Sequence, residues 1–159
     1  MTARSIGLNA LAVARHRGVS ADLAARHGHQ LTAGKALGAG TAPGGDYDVV
    51  IDAAGTQSSI EEAIRRLRPG GRLLLLGSWW SPGQLGADLA IKEITLFPSS
   101  FYGHHHGSRE FIEAVDVLAA RPDLAATLIT HRFALDEATE AFCVAGDRAA
   151  GAIKVVVHP

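Results

Sequence analysis

Residues 47–77 read YDVVIDAAGTQSSIEEAIRRLRPGGRLLLLG, and the architecture turns on them. Asp48-Val49-Val50-Ile51-Asp52 is a short β-rich run that ends in Ala53-Ala54-Gly55. Ser59-Ile60-Glu61-Glu62 has capping-box spacing, in which Ser59 takes a free backbone N–H at a helix start and Glu62 reaches back. Ile60, Ala63, Ile64 and Leu67 follow at offsets that line one helix face. Pro69-Gly70-Gly71 is expected to stop that helix. Arg72 then leads into an apolar run to Leu76, as a strand covered on both faces requires. Two parallel strands joined by a crossover helix form a βαβ unit, and open parallel sheets bind ligands at the carboxyl ends of their strands. Gly55 and Gly77, at those two ends, are the first candidate binding positions.

The remainder of the chain is consistent with one ordinary domain. Its 159 residues allow a sizeable core, and 47% hydrophobic with 19% charged residues describes a globular chain rather than a disordered one. A formal net charge of -1 offers no basic footprint for nucleic acid or an anionic membrane. No apolar run approaches a membrane span, and MTARSIGLNALAVARHRG is only mildly amphipathic, with too few consecutive apolar residues for a signal peptide. The single cysteine, Cys143, excludes an internal disulfide and any multi-cysteine zinc site. A cytoplasmic location is the default expectation.

Taken in order, Ser5 to Arg17 is expected to be a helix closed by Gly18, followed by a weak strand over Val19–Ala25 and a second helix over Gln30–Leu37 closed by Gly38. Ala39 to Asp46 is loop-like, with room for a vestigial strand near Ala39–Ala42. After the βαβ unit, Ser78–Gly86 is a loop carrying Trp79 and Trp80, Leu89–Glu93 a helical turn, and Ile94–Phe97 a strand. Ser99–Gly107 is read as a loop. Ser108 is expected to cap a helix with Phe111, Ile112, Val115, Leu118 and Ala119 on its inner face, ending at Arg121-Pro122. Leu124–Arg132 reads as a connector. Asp136 caps a last helix using Ala138, Ala141, Phe142 and Ala145, and Ile153–Val157 closes the chain as a strand.

This order of elements resembles the carboxyl-terminal, cofactor-binding part of the medium-chain dehydrogenase/reductase superfamily, the zinc-type alcohol dehydrogenases. The pieces that carry the resemblance are SIGLNALAVARHRG, KALGA, YDVVIDAAGT, AIRRLRPGGRLLLLG, KEITLFPSSFYG, LITHRFALDEATEAF and GAIKVVV. It implies an α/β, Rossmann-like, doubly wound parallel sheet that binds NADP or NAD, with hydride passing between the nicotinamide and an alcohol or carbonyl substrate. The family's catalytic zinc ligands come from an amino-terminal barrel domain, so zinc is expected for the full-length family without ligands in this chain. Laid on the G-x-G-x-x-G fingerprint, Thr2 and Arg4 stand where the first two glycines belong, and Gly7 alone matches. With only Met1 ahead of Thr2, the sheet is expected to be incomplete, lacking its first strand and glycine loop. Loss of a central strand leaves two inner edges that invite pairing with another chain, so a homo-oligomer or a separate catalytic-domain partner is conceivable.

The resemblance also places candidate cofactor contacts. At the end of the second strand stand Ala25, Arg26 and His27; a cation without a carboxylate there favours the 2′-phosphate of NADP, although a solvated arginine is the plainer reading. Gly55 and Thr56 resemble the adenosine-side contact, Gly77 and Ser78 continue the crevice, Ser99 and Ser100 resemble the nicotinamide-side loop, and Lys154 matches a basic position near the pyrophosphate. His104-His105-His106 puts two rings on one face if extended, but with no nearby Cys, Asp or Glu a solvated or partner-facing loop is the better reading. No catalytic acid, base or metal ligand is assigned. An S-adenosylmethionine-dependent methyltransferase shares YDVVIDAAG and LRPGGRLLLLG, although such enzymes usually end in an antiparallel hairpin, and a non-enzymatic partner subunit is the third possibility.

Overall fold

The structure is a computed structural model in which residues 5–40, 44–80, 82–100, 103–105, 107–147 and 149–159 are described, apart from the side chains of residues 104, 105 and 108. Thr2 and Arg4, residues 41–43 and His106 lie outside them, as does any capping by the Ser108 side chain. The first helix, α1, spans Ser5–His16, and Gly18 follows at φ +75°, the left-handed conformation that glycine adopts without a Cβ penalty. Leu8, Leu11 and Ala12 are its buried face. The second helix, α2, spans Gly28–Ala36 and starts two residues earlier than the sequence suggests. Between them the expected strand is reduced to a single parallel bridge, Asp22 to Gly40.

The βαβ unit is present with shifted boundaries. Strand β1 is Tyr47–Asp52, helix α3 is Gln57–Arg66 and strand β2 is Leu67–Leu75. The cap of α3 is Thr56, not Ser59. Gly55 turns the chain at φ +65°, which leaves Thr56 extended (φ -119°, ψ 156°) one residue before the helix begins. Thr56 Oγ1 accepts from the Ser59 backbone N–H at 3.2 Å, and the Thr56 N–H donates to Ser59 Oγ at 3.0 Å, so the box closes between these two residues. Glu62 is drawn instead to Arg65 and Arg66. The helix stops at Arg66, before Pro69-Gly70-Gly71, where Leu67 already pairs with Tyr47. The register then slips until Val49 meets Arg72. Lys92 closes the carboxyl end of α3: its ammonium donates to the carbonyls of Ile64, Arg65 and Leu67 at 2.8–3.1 Å.

Helix α4 (Ala87–Ile91) leads to strand β3 (Thr95–Pro98), and β1, β2 and β3 form one parallel sheet in that order. A short antiparallel pair, β4 (His104–His105) with β5 (Ser108–Arg109), interrupts the expected loop. Helix α5 (Glu110–Ala120) buries Val117, whereas Phe111, Ile112, Val115 and Leu118 are all at least half exposed. The apolar spacing gives this helix one greasy face, of which Ile112, Val115 and Leu118 stay about half in solvent. Residues 124–132 are no simple connector: α6 (Pro122–Leu128) is followed by strand β6 (Ile129–Ala134). A 3-10 turn, Leu135–Glu137, introduces helix α7 (Ala138–Gly146), with Glu137 rather than Asp136 accepting from the Ala134 N–H at 2.8 Å. Phe142 of α7 is 79% exposed. Strand β7 (Lys154–His158) pairs parallel with β6 as a second sheet.

Two apolar clusters result. Leu8, Leu11, Leu23, Leu37, Leu124 and Leu128 form one; Val50, Ile60, Ile64, Leu67, Leu73 and Ile94 form the other. Each fully buried Leu or Ile contributes roughly 1.5–3 kcal/mol. The fold is thus α/β with parallel strands. No described helix is long and apolar enough to cross a membrane.

Candidate functional site

A cleft of about 680 Å³ opens between residues 23–40 and the amino-terminal part of α3. Ligand pockets typically span about 300–1,000 Å³, so its size suits a small molecule or part of a cofactor. Residues 23–26 form one side, α2 contributes Leu31 and Lys35, and α3 contributes Thr56, Ser58, Ser59, Glu62 and Arg66. The local fold explains this meeting. The extended segment 21–25 delivers Arg26 at its end, and the strand-to-helix turn after β1 delivers the first turn of α3.

The charge in the cleft is uneven. Glu62 is held below its ordinary pKa, first by its hydrogen bond with Arg66 and then by that with Arg65. Arg66 is committed in turn: Nε donates to Glu62 at 2.5 Å and a terminal amino group donates to the Gly44 carbonyl at 3.0 Å. No hydrogen bond or ion pair to a described residue engages the side chain of Arg26 or Lys35. The cleft therefore presents two uncommitted cations and the positive end of α3, an environment that favours an anion. Thr56 has spent its hydroxyl on the cap, giving to Ser59 Oγ at 3.0 Å. Ser58, whose hydroxyl lies 3.3 Å from Thr56 Oγ1, is the hydroxyl better placed to meet a ligand.

The other candidates distribute differently. His27 caps α2 by position and stacks on His29 with ring centroids 5.5 Å apart, outside the cleft lining. Gly55 and Gly77 sit against each other. A Cβ on Gly55 would come 2.5 Å from the Ser78 carbonyl oxygen, and one on Gly77 would overlap the Gly55 amide nitrogen. The close approach these glycines permit is therefore backbone to backbone, between the loops after β1 and β2. Ser78, Ser99 and Ser100 are exposed at the carboxyl ends of β2 and β3, with the Ser99 N–H given to the Leu75 carbonyl at 2.9 Å. Gly7 lies inside α1, buried, and borders a different cavity. Lys154 opens β7 in the second sheet, exposed and away from the cleft lining. Of the positions singled out in the sequence, Arg26 and Thr56 line this cleft, and Lys35 and Ser58 line it beside them. Lys35 stands in the KALGA motif, one of the pieces that carry the family resemblance.

Among the described residues no group of three His, Cys, Asp or Glu side chains could hold a metal ion, and Cys143 is exposed on α7. The donor set present does not fit a catalytic zinc.

A family model described as zinc-binding dehydrogenase matches residues 5–120. An uncharacterised zinc-type alcohol dehydrogenase-like protein of Escherichia coli, YdjL, is 31% identical over 110 residues, covering 69% of this chain and 29% of that protein. An alcohol dehydrogenase of E. coli solved with NADH has a TM-score of 0.80 at 23% identity, covering 98% of this chain and 50% of the other. A zinc-binding dehydrogenase of Sinorhizobium meliloti bound to NADP gives 0.78 at 24% identity, covering 98% and 50%. The chain thus spans about a third of that curated relative and half of each of those solved chains.

Proposed function

The chain belongs to the zinc-binding dehydrogenase family, and on that premise we propose that its cleft holds the adenosine end of a nicotinamide dinucleotide, with preference for the 2′-phosphorylated form. The observation that carries this reading is the pair Arg26 and Lys35, uncommitted cations in a cleft whose one carboxylate, Glu62, is already bound to arginines. A carboxylate at the end of the second strand would favour unphosphorylated ribose; here that place holds Ala25 and Arg26. The dinucleotide would then run along the carboxyl ends of β1, β2 and β3, past Thr56, Ser78 and Ser99-Ser100, toward its nicotinamide. Gly55 and Gly77 serve this path by shaping the loops, and Gly7, His27 and Lys154 gain no support from their positions.

For the whole protein the reading is hydride transfer between the nicotinamide and an alcohol or carbonyl. This chain's own part is to bind and orient the cofactor. Zinc, when bound by other residues, would polarise the substrate oxygen. No step of that chemistry is assigned to a residue here, and the isolated chain is expected to turn over little substrate.

Calorimetric titration with NADPH, NADH and S-adenosylmethionine tests the proposal. NADPH should bind more tightly than NADH, with no heat from S-adenosylmethionine. A charge-assisted hydrogen bond contributes about 1.5–3 kcal/mol, so Arg26→Gln should weaken NADPH roughly tenfold or more and leave NADH within about twofold. Equal losses for both cofactors would remove the 2′-phosphate assignment, and silence with both would remove the cleft.

A further inference from the structure

Among the described residues Asp52, the last of β1, is the only buried acid, and at 0% exposure it has no solvent to meet its polar atoms. Burying a carboxyl group is costly unless hydrogen bonds replace that solvent. The side chain turns back on the loop that follows it: Oδ1 accepts from the Ala54 N–H at 2.9 Å and from the Gly55 N–H at 3.4 Å. The backbone carbonyl of Asp52 takes two more, the Leu76 N–H at 2.8 Å and the Gly77 N–H at 2.9 Å. A regular parallel ladder spaces its hydrogen bonds evenly, so two consecutive N–H groups on one carbonyl mark where the chain after β2 leaves the ladder. The loops after β1 and β2 therefore hang from one residue, and Gly55 meets Gly77 where they touch. Oδ2 is buried and takes no hydrogen bond from a described residue, so the turn uses one oxygen of the two.

We propose that Asp52 is a positioning residue of the cofactor crevice. It holds the loops after β1 and β2 as one wall, and that wall sets the passage from the cleft to the carboxyl ends of β2 and β3. This rests on the cofactor reading, in which the dinucleotide passes Thr56 and then Ser78, the residues that follow Gly55 and Gly77 on the wall. Asp52 does not line the cleft; it acts through the backbone that it holds. The cleft has supports of its own. Thr56 and Ser59 are fixed by the hydrogen bonds between them, and α3 is seated by the burial of Ile60 and Ile64. The effect of Asp52 therefore separates by ligand. A ligand that ends within the cleft is indifferent to the wall, whereas one that runs on past it depends on where the wall stands, because misplacing a contact by about 1 Å is enough to forfeit it.

The test titrates the full chain and two variants, checked for folding by circular dichroism, with NADPH, NADH and adenosine 2′,5′-bisphosphate, which ends within the cleft. Asp52→Ala removes the side-chain acceptor and should weaken NADPH and NADH alike, by roughly tenfold or more, while the bisphosphate stays within about threefold. General loss of structure would weaken all three ligands, and loss of Arg26 would fall on the phosphorylated ones. Asp52→Asn keeps an oxygen for the Ala54 N–H and should hold both dinucleotides within about threefold of the wild-type chain. Amide exchange of the wild-type chain needs no variant: Ala54, Leu76 and Gly77 should share one protection, and NADPH should raise it at all three together. Undiminished dinucleotide binding by Asp52→Ala, an Asn variant as weak as the Ala variant, an equal loss for the bisphosphate, or separate protection of Ala54 and Gly77 overturns the role of Asp52 and leaves the cofactor reading standing. Silence of the wild-type chain toward all three ligands overturns the cofactor reading, and this role with it.

Discussion

A methyl group added at Gly55 meets two obstacles at once. The backbone there has φ +65°, where an L side chain costs about 1–2 kcal/mol, and the new Cβ would come 2.5 Å from the Ser78 carbonyl oxygen, a backbone atom with no rotamer to yield. Gly55→Ala should therefore cost about 2–4 kcal/mol and lower the thermal midpoint by roughly 5–15 °C. Gly86 has an ordinary φ of -70° and nothing near its would-be Cβ, so Gly86→Ala should stay within about 1 kcal/mol in the same melt. At this scale the sequence announced that glycine is needed after each strand without saying what comes close. What the structure puts close to each is the backbone of the other's loop. The resemblance set Arg26 at the end of the second strand, and Arg26 lines the cleft. The place of Lys35 in that lining was not legible, because it depends on how α2 lies against a turn about twenty residues further along the chain.

Helix α3 shows how an element can be right in kind and wrong in its ends. TQSSIE offers Thr56 and Ser59 as caps, and local spacing cannot rank them; the left-handed turn at Gly55 does, by fixing which residue is extended. Freed from capping, Glu62 binds Arg66 and Arg65, and both hydrogen bonds lower its pKa from the ordinary 4.5. A carboxyl whose pKa is lower folded than unfolded stabilises the fold fully above its unfolded value and loses that contribution as pH falls through the folded one. The stability difference between the wild-type chain and Glu62→Gln, followed by urea midpoints, should be constant above about pH 4.5 and shrink below it. A difference that grows on acidification would contradict the assignment. Helix α5 teaches a complementary lesson. Its apolar spacing correctly foretold a helix with one greasy side, yet periodicity says nothing about whether another element lies against that side. Here Ile112, Val115 and Leu118 face outward.

Seen whole, the molecule buries its apolar residues in two clusters. Parallel class and the βαβ unit were legible from strand and helix periods, because each is encoded locally. The separation of the clusters, the second sheet of β6 and β7, and the return of α6 to pack on Leu8 and Leu37 were not, since each depends on contacts distant in sequence. Leu73→Ala, a truncation of a fully buried residue, should cost about 2–5 kcal/mol. Native-state hydrogen exchange should show that loss in β1 and β2, while amides of α1 keep their protection; an equal loss in both would mean that the clusters open as one unit. The same division sets an order in time. The second cluster draws on a single continuous stretch, residues 47–96, whereas the first joins residues 8–39 to Leu124, Leu128 and Ile153. Closing the longer loop costs more chain entropy before any contact rewards it. The chain therefore assembles from its middle outward, and its two ends meet last.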